Sequence, residues 1–226
     1  MVFTIKDAAG KVVKKEYKKP AKGMQRFNWD LRYTLQNPID LSKSSFYNPW
    51  ETIDEGTLAQ PGVYTVEMQL YANGTVTNLV NQVSFNVKAL DNTVLPAEDR
   101  AAKVAFQKEV AQLEAAFGNT QNMMSEMNQK LTYIKAAIVR SEQPFEAYAN
   151  SVLEIENKLK AINVALYGDP IKSKLDVDQP QTPANRIGII SYEQKYTTST
   201  PTKTHQDSYA IAKTEIDALK KQVETI

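Results

Sequence analysis

The side chains of this chain that could do chemistry are few and scattered. Its single histidine, His205, lies in Thr202-Lys203-Thr204-His205-Gln206 at the polar start of the last helical stretch. One imidazole cannot supply the Glu-x-x-His pairs that a carboxylate-bridged metal site in a helical bundle requires, so His205 reads as a surface residue. Glu154 and Glu156 stand two apart in a helical pattern and point to different faces, which gives paired-carboxylate catalysis no support there, although acids distant in sequence can converge. The chain carries no Gly-x-Ser-x-Gly elbow and no glycine loop of P-loop or Rossmann spacing. It has no cysteine, hence no thiolate ligand, redox pair or disulfide. Met123, Met124 and Met127 form a methionine patch, but Met124 and Met127 fall on an apolar helical stripe and read as core, with a soft partner surface as the alternative. No catalytic, cofactor-binding or metal-binding residue is assigned on these grounds.

The densest group of functional side chains is Arg26-Phe27-Asn28-Trp29-Asp30-Leu31-Arg32-Tyr33, followed at a distance by Pro61-Gly62-Val63-Tyr64-Thr65-Val66. A tryptophan, an acid and two arginines within eight residues suggest a site. Set among strand patterns, they read instead as paired strands of a small β-sandwich. A second aromatic group, Phe46, Tyr47 and Trp50, lies in the long connection 34–60 with Pro38 and Pro49. Connections of that length are commonly functional or packed down by their own side chains. The three rings are therefore candidate partner-binding residues, a platform for a sugar or a protein, or else a cover for the sandwich edge or a neighbouring domain. The cluster Lys11, Lys14, Lys15, Lys18, Lys19 and Lys22 is read as edge-strand lysine that blocks unwanted strand pairing rather than as an anion site, because no arginine or glycine fork accompanies it.

Composition bounds the remaining possibilities. With 226 residues, 42% hydrophobic and 23% charged, the chain has an ordinary globular composition with room for two small domains. Twenty-seven basic and 26 acidic side chains leave a formal charge of +1, no field for holding nucleic acid. No apolar run reaches the roughly 18 residues of a membrane span, and the N-terminus lacks the order of a signal peptide. Strand-like alternation already starts at Val2, which raises the expectation that this is the C-terminal piece of a longer protein.

The elements that must position these groups fall into two kinds. Val2, Phe3 and Ile5 run into Asp7-Ala8-Ala9-Gly10 and then Val12-Val13, a hairpin signal. Val63 to Leu70 alternates cleanly, and Asn73-Gly74 is a type I′ turn signal. The returning strand carries Val83, Phe85 and Val87 on one face, while Val76, Leu79 and Val80 lose that register, which predicts a bulge near 79–81. After residues 90–96 the pattern turns helical. One helix carries Phe106, Val110, Leu113 and Phe117 and stops at Gly118-Asn119; a second carries Met124 to Ile138; a third runs from Phe145 to Leu166 and ends at Gly168. A polar loop over 171–182 leads to a short helix over 184–195. The last helix has Pro201 in its first turn behind Thr200 as cap, with Tyr209, Ala212, Ile216, Leu219 and Val223 as its stripe. The predicted fold is α+β in two segregated domains: an immunoglobulin-like β-sandwich over 1–92 and an antiparallel bundle of about four helices over 93–226.

In the order Asp7-Ala8-Ala9-Gly10-Lys11-Val12-Val13, Gly23, residues 26–33 and residues 61–66, the first domain resembles the FlgD-like immunoglobulin module. More closely, the chain resembles the C-terminal region of secreted bacterial sortilin-like proteins, often labelled BNR-repeat glycosyl hydrolases, in which a β-propeller precedes a sandwich and a helical tail. The stretches 185–188 and 201–210 are similar to that tail. The resemblance implies that the propeller, where any hydrolase activity of the family would reside, is missing from this chain. It implies export to the periplasm, cell surface or medium, with the propeller as partner. It further implies a structural signature of Trp29 as core anchor, Asp30 and Arg32 as hydrogen-bonding partners around it, Tyr33 beside them, and Pro61-Gly62 as the turn into the strand of Tyr64. This chain has Gly23-Met24-Gln25 where the family tends to place an asparagine soon after the glycine. The expected function is a non-catalytic accessory region that stabilises or presents a propeller. The alternative is a carbohydrate- or protein-binding module using the loop 34–60, and an enzyme comes third.

Overall fold

The computed structural model describes residues 1–39, 56–90, 98–142, 144 and 146–226. The fold is α+β, with an antiparallel sheet at the N-terminal end and helices in the rest of the chain. Strands β1 (Val2–Asp7), β2 (Val12–Tyr17), β3 (Gly62–Ala72) and β4 (Thr75–Val87) form a four-stranded sheet in the order β2-β1-β3-β4. They are followed by α1 (Arg100–Arg140), α2 (Glu146–Tyr167), α3 (Pro170–Lys174), α4 (Pro183–Tyr196) and α5 (Lys203–Glu224). The chain divides into two compact units. One comprises Met1–Gln36, Ser42–Gln107 and Gln194–Thr200; the other comprises Asn37–Leu41, Lys108–Glu193 and Pro201–Ile226. The boundary expected at 92/93 lies outside the described residues, as do Phe46, Tyr47, Trp50 and Phe145.

In the sheet unit, local signals and pairing agree. Asn73 and Gly74 both take positive φ, 52° and 75°, the left-handed pair that a two-residue turn between β3 and β4 needs. The register slips on both sides of Met68, so that Val66 pairs Val83, Met68 pairs Val80 and Gln69 pairs Asn78, which is the bulge expected in β4. A further shift sits in β2, where Ile5 pairs Lys14 but Lys6 pairs Val12. It leaves Val13 unpaired across the ladder and lets it enter the core with Ile5 and Tyr64, while Thr34 donates to the Val13 carbonyl through both its amide and its hydroxyl, at 3.1 and 2.9 Å. The lysine-bearing β2 is an edge strand, where its charges discourage further pairing.

Residues 26–33 are not a regular strand. They form an irregular extended segment whose only ladder contact among the described residues is the bridge between Arg32 and Leu58. Side chains take the backbone groups that a ladder would have used: Asp30 Oδ1 accepts from the Arg32 amide at 3.0 Å, and Trp29 Nε1 donates to the Arg32 carbonyl at 3.0 Å. Leu31 between them is turned to a left-handed φ of 58°, which no strand tolerates. The segment still covers the sheet. Phe27 stacks on Phe3 with ring centroids 4.3 Å apart, and Trp29 meets Tyr64 at 5.2 Å and Phe85 at 6.1 Å edge-on.

The helical unit has its own core. Met124 and Leu131 of α1, Val152, Leu159, Ile162 and Leu166 of α2, and Leu219 and Val223 of α5 pack together, members of the stripes expected for the second, third and last helices, whereas Ile134 and Tyr148, expected on the same stripes, are exposed. Three boundaries differ from expectation. The stretch expected as a loop over 171–182 opens with the short helix α3, Pro170–Lys174, which Asp169 caps by accepting from the Ile171 and Lys172 amides. Gly118 does not stop a helix, because α1 runs 41 residues straight through it. A Cβ at Gly118 would lie 2.9 Å from Pro38 Cδ, so the glycine serves close approach rather than a left-handed cap, and the two helices expected on either side are one. The buried stripe of its first half also shifts, to Val104, Gln107, Val110 and Leu113, with Phe106 only half-buried. At α5 the cap is Thr202 rather than Thr200. The Thr202 hydroxyl accepts from the His205 amide while His205 Nδ1 accepts from the Thr202 amide, a capping box in which histidine replaces the usual Glu.

Trp29→Ala is expected to lower the unfolding free energy by about 3 kcal/mol in chemical denaturation, through loss of ring contacts and of the Nε1 bond. Trp29→Phe, which keeps a ring but removes the donor, is expected to cost only about 1 kcal/mol.

Candidate functional site

The groups singled out in the sequence are largely engaged in holding the sheet unit together. Lys14 Nζ meets Asp30 Oδ2 at 2.6 Å, and Lys14 Nζ also lies 3.5 Å from Glu16. Arg32 Nη1 donates to the Gly56 carbonyl at 2.9 Å, and its guanidinium lies 5.9 Å from the Tyr196 ring centroid. The Tyr33 amide donates to Thr57 O at 2.9 Å, and the Ala59 amide to Leu31 O at 2.7 Å. Tyr64 is 3% exposed, donates to Gln60 O at 2.7 Å, and has its phenol pushed far above the ordinary range, first by burial and then by its hydrogen bond with Tyr33. Pro61 precedes β3 at Gly62. In the helical unit His205 is not a bare surface group: Nδ1 serves the cap and Nε2 pairs with Glu193. Glu154 pairs with Lys158 one turn on, and Glu156 with Lys135 at 2.6 Å, so neither faces the other.

One consequence of the short pairing between 31–33 and 57–59 is a cleft. Its walls come from Leu31, Leu58, Val87 and Leu90 on one side and from the first two turns of α1 on the other, and its volume is about 250 Å³. Asp99 caps α1, accepting from the Ala102 amide at 2.9 Å, so Arg100, Lys103, Val104 and Gln107 follow at helical spacing along the cleft. Gln60 Nε2 donates to the Arg100 carbonyl at 2.6 Å and fixes the helix start against the 58–61 segment. Gln107 Nε2 donates to the Gln194 carbonyl at 2.7 Å.

The electrostatics of this cleft are unbalanced. Lys103 is only 9% exposed, and no carboxylate among the described residues lies within salt-bridge distance of it. Burial, and secondarily the Arg100 charge, push its ammonium pKa below the ordinary lysine value. Gln107 is 3% exposed, and its Oε1 has no hydrogen-bond partner among the described residues. Apolar walls and two cations in the first turns of α1, whose N-terminal amides Asp99 caps, thus converge in one place. Sequence reasoning passed over all three polar residues. The available signal was their spacing: Arg100, Lys103 and Gln107 stand three and four apart, and Lys103 and Gln107 lie on the apolar side of α1 beside Val104.

Comparison of the chain with protein families, with curated proteins and with solved structures finds no match.

A lysine whose folded-state pKa is depressed releases its proton at lower pH than in the unfolded chain. Between the two values the unfolded chain holds more protons, so this group's penalty on stability is full below the lowered folded-state value and fades as pH rises toward the ordinary lysine value of 10.5. Lys103→Met is therefore expected to be more stable than the parent at pH 7, by about 1 kcal/mol. Urea melts at pH 7, 8.5 and 10 should show that difference shrinking as pH rises; a difference that grows with pH would contradict an unpaired buried lysine.

Proposed function

We propose that this chain is a non-catalytic accessory region: an immunoglobulin-like sandwich of the FlgD-like kind followed by an antiparallel helical bundle, which stabilises or presents a β-propeller in an exported bacterial protein. The observation that carries the reading is the use made of the polar groups in residues 26–33. Trp29 Nε1, both carboxylate oxygens of Asp30 and the Arg32 guanidinium each meet a backbone or side-chain partner inside the sheet unit, the behaviour of a structural signature rather than of a reacting site. Separate cores for the sheet and for the helices support a region that docks beside another domain without depending on it for its own packing.

The genomic reading frame upstream of Met1 tests this directly. An export signal followed by propeller repeats, joined in frame to residue 1, is the expected result. A native start at Met1 with no upstream coding sequence overturns the proposal.

A further inference from the structure

The lysines of residues 11–26 exceed what edge protection requires. Blocking a sheet edge calls for charge on the strand itself, and on β2 Lys14 and Lys15 supply it. Lys11, Lys18, Lys19 and Lys22 lie outside the strand, in the turn before it and the loop after it. Residues 11–26 hold seven of the chain's 27 basic side chains and one of its 26 acids, a net +6 in a chain of net +1, which leaves the remainder at −5. The structure sorts these cations into two sets. Lys14 meets Asp30 and Glu16, and Lys18 Nζ donates to the Arg26 carbonyl. Lys11, Lys15, Lys19, Lys22 and Arg26 are exposed, and their side chains have no partner among the described residues. The neighbouring acids are already engaged: Glu16 and Asp30 face Lys14, and Asp7 Oδ1 accepts from the Ala9 and Lys11 amides.

Apolar groups stand between the free cations. Lys15 and Tyr17 are two apart on β2 and so share one face of the sheet. The Lys18 bond to Arg26 and a bond from Gln25 Nε2 to Ala21 O close residues 18–26 into a loop after that strand, and Phe27, stacked on Phe3, ties the loop to the sheet. Met24 in this loop is fully exposed, and Tyr17 at the strand's end is 77% exposed. From Lys11 to Lys19 the backbone runs roughly 25 Å at about 3.4 Å per residue, so these charges do not converge on one small anion. A flat anionic surface meets such a row along its length. Residues 11–26 carry six lysines and one arginine, a choice that favours diffuse attraction to lipid headgroups over bidentate gripping of nucleic-acid phosphates. A methionine and a tyrosine interleaved with the lysines add apolar contacts of the kind made at a lipid interface.

We propose that residues 11–26 dock this chain on the surface of an anionic lipid bilayer. Lys11, Lys15, Lys19, Lys22 and Arg26 lie against the headgroups, and Met24 and Tyr17 enter the interface. The net negative charge of the remaining residues turns the rest of the chain away from the same surface. The proposal does not depend on the accessory-region reading, since the chain alone carries the patch and an upstream propeller neither supports nor removes it.

Co-sedimentation of the full chain with phosphatidylcholine vesicles containing about 30% phosphatidylglycerol tests it, with pure phosphatidylcholine vesicles alongside. At about 0.05 M salt the anionic vesicles should bind at least tenfold more tightly, and the difference should vanish near about 0.5 M as the charges are screened. Lys19→Gln/Lys22→Gln should weaken binding about 25-fold, at about fivefold per cation, while melting with the parent, since neither side chain has a partner among the described residues. Lys203→Gln/Lys213→Gln, which removes two cations from α5, should bind within about twofold of the parent. Because the chain has no cysteine, Met24→Cys can carry a single environment-sensitive dye, whose emission should shift to the blue on anionic vesicles. The same dye on Thr77→Cys, on the strand at the opposite edge of the sheet, should not shift. Equal binding to both kinds of vesicle, unchanged binding in Lys19→Gln/Lys22→Gln, an unmoved dye at position 24, or no binding would each overturn the proposal. Tighter binding to a short DNA duplex than to anionic vesicles at equal phosphate concentration would also overturn it, and would assign the patch to nucleic acid.

Discussion

The sheet unit depends on one packing event: the burial of one face of a four-stranded sheet beneath a segment that is not itself a strand. Ile5, Val13 and Tyr64 are buried because Phe27, Trp29 and Tyr33 lie over them, and the stacked and edge-on rings supply directional contacts beyond area alone. An open sheet face left bare would expose a large apolar patch, so the cover is a requirement of solubility as much as of stability. The cover holds its shape by local hydrogen bonds from Trp29 and Asp30 to the backbone around Arg32, which leave Leu31 in a left-handed turn. That turn sets the 31–33 segment against 57–59, and the pairing sets one wall of the cleft.

The other wall follows from the length of α1. The helix runs through both units: its first two turns belong to the sheet unit, and Lys108 onward belongs to the helical unit. Residues 100–107 therefore answer to a different core from the one that Met124 and Leu131 serve. Val104 meets the demand for an apolar wall, and Gln107 reaches the Gln194 carbonyl. Lys103 lines the same cleft and finds no carboxylate within salt-bridge distance among the described residues.

The outline of the fold was legible because local chemistry and tertiary demand coincide over most of its elements. The β1–β2 hairpin, the strand β3, the Asn73-Gly74 turn, the bulge in β4 and the stripes of α2 from Val152 onward and of α5 are each determined by period, by turn conformation or by spacing, and stand in the structure. Where reading by pattern went astray, a side chain or a distant neighbour had intervened. Trp29 and Asp30 took backbone groups away from a ladder, Pro38 supplied the reason for Gly118, and His205 completed a cap two residues beyond the expected one.

By itself, then, the sequence determined the division into sheet and helices and the turns between strands, since these rest on interactions between residues close in the chain. Tertiary structure alone decided that residues 26–33 would cover a face rather than join it, that α1 would run unbroken, and that Arg100, Lys103 and Gln107 would meet leucines from three separate segments around one cleft. Periodicity marks which face of a helix turns inward. It carries no record of what waits on the other side, and whether a lysine on that face meets a carboxylate or an apolar wall is settled only when segments far apart in the chain are brought together.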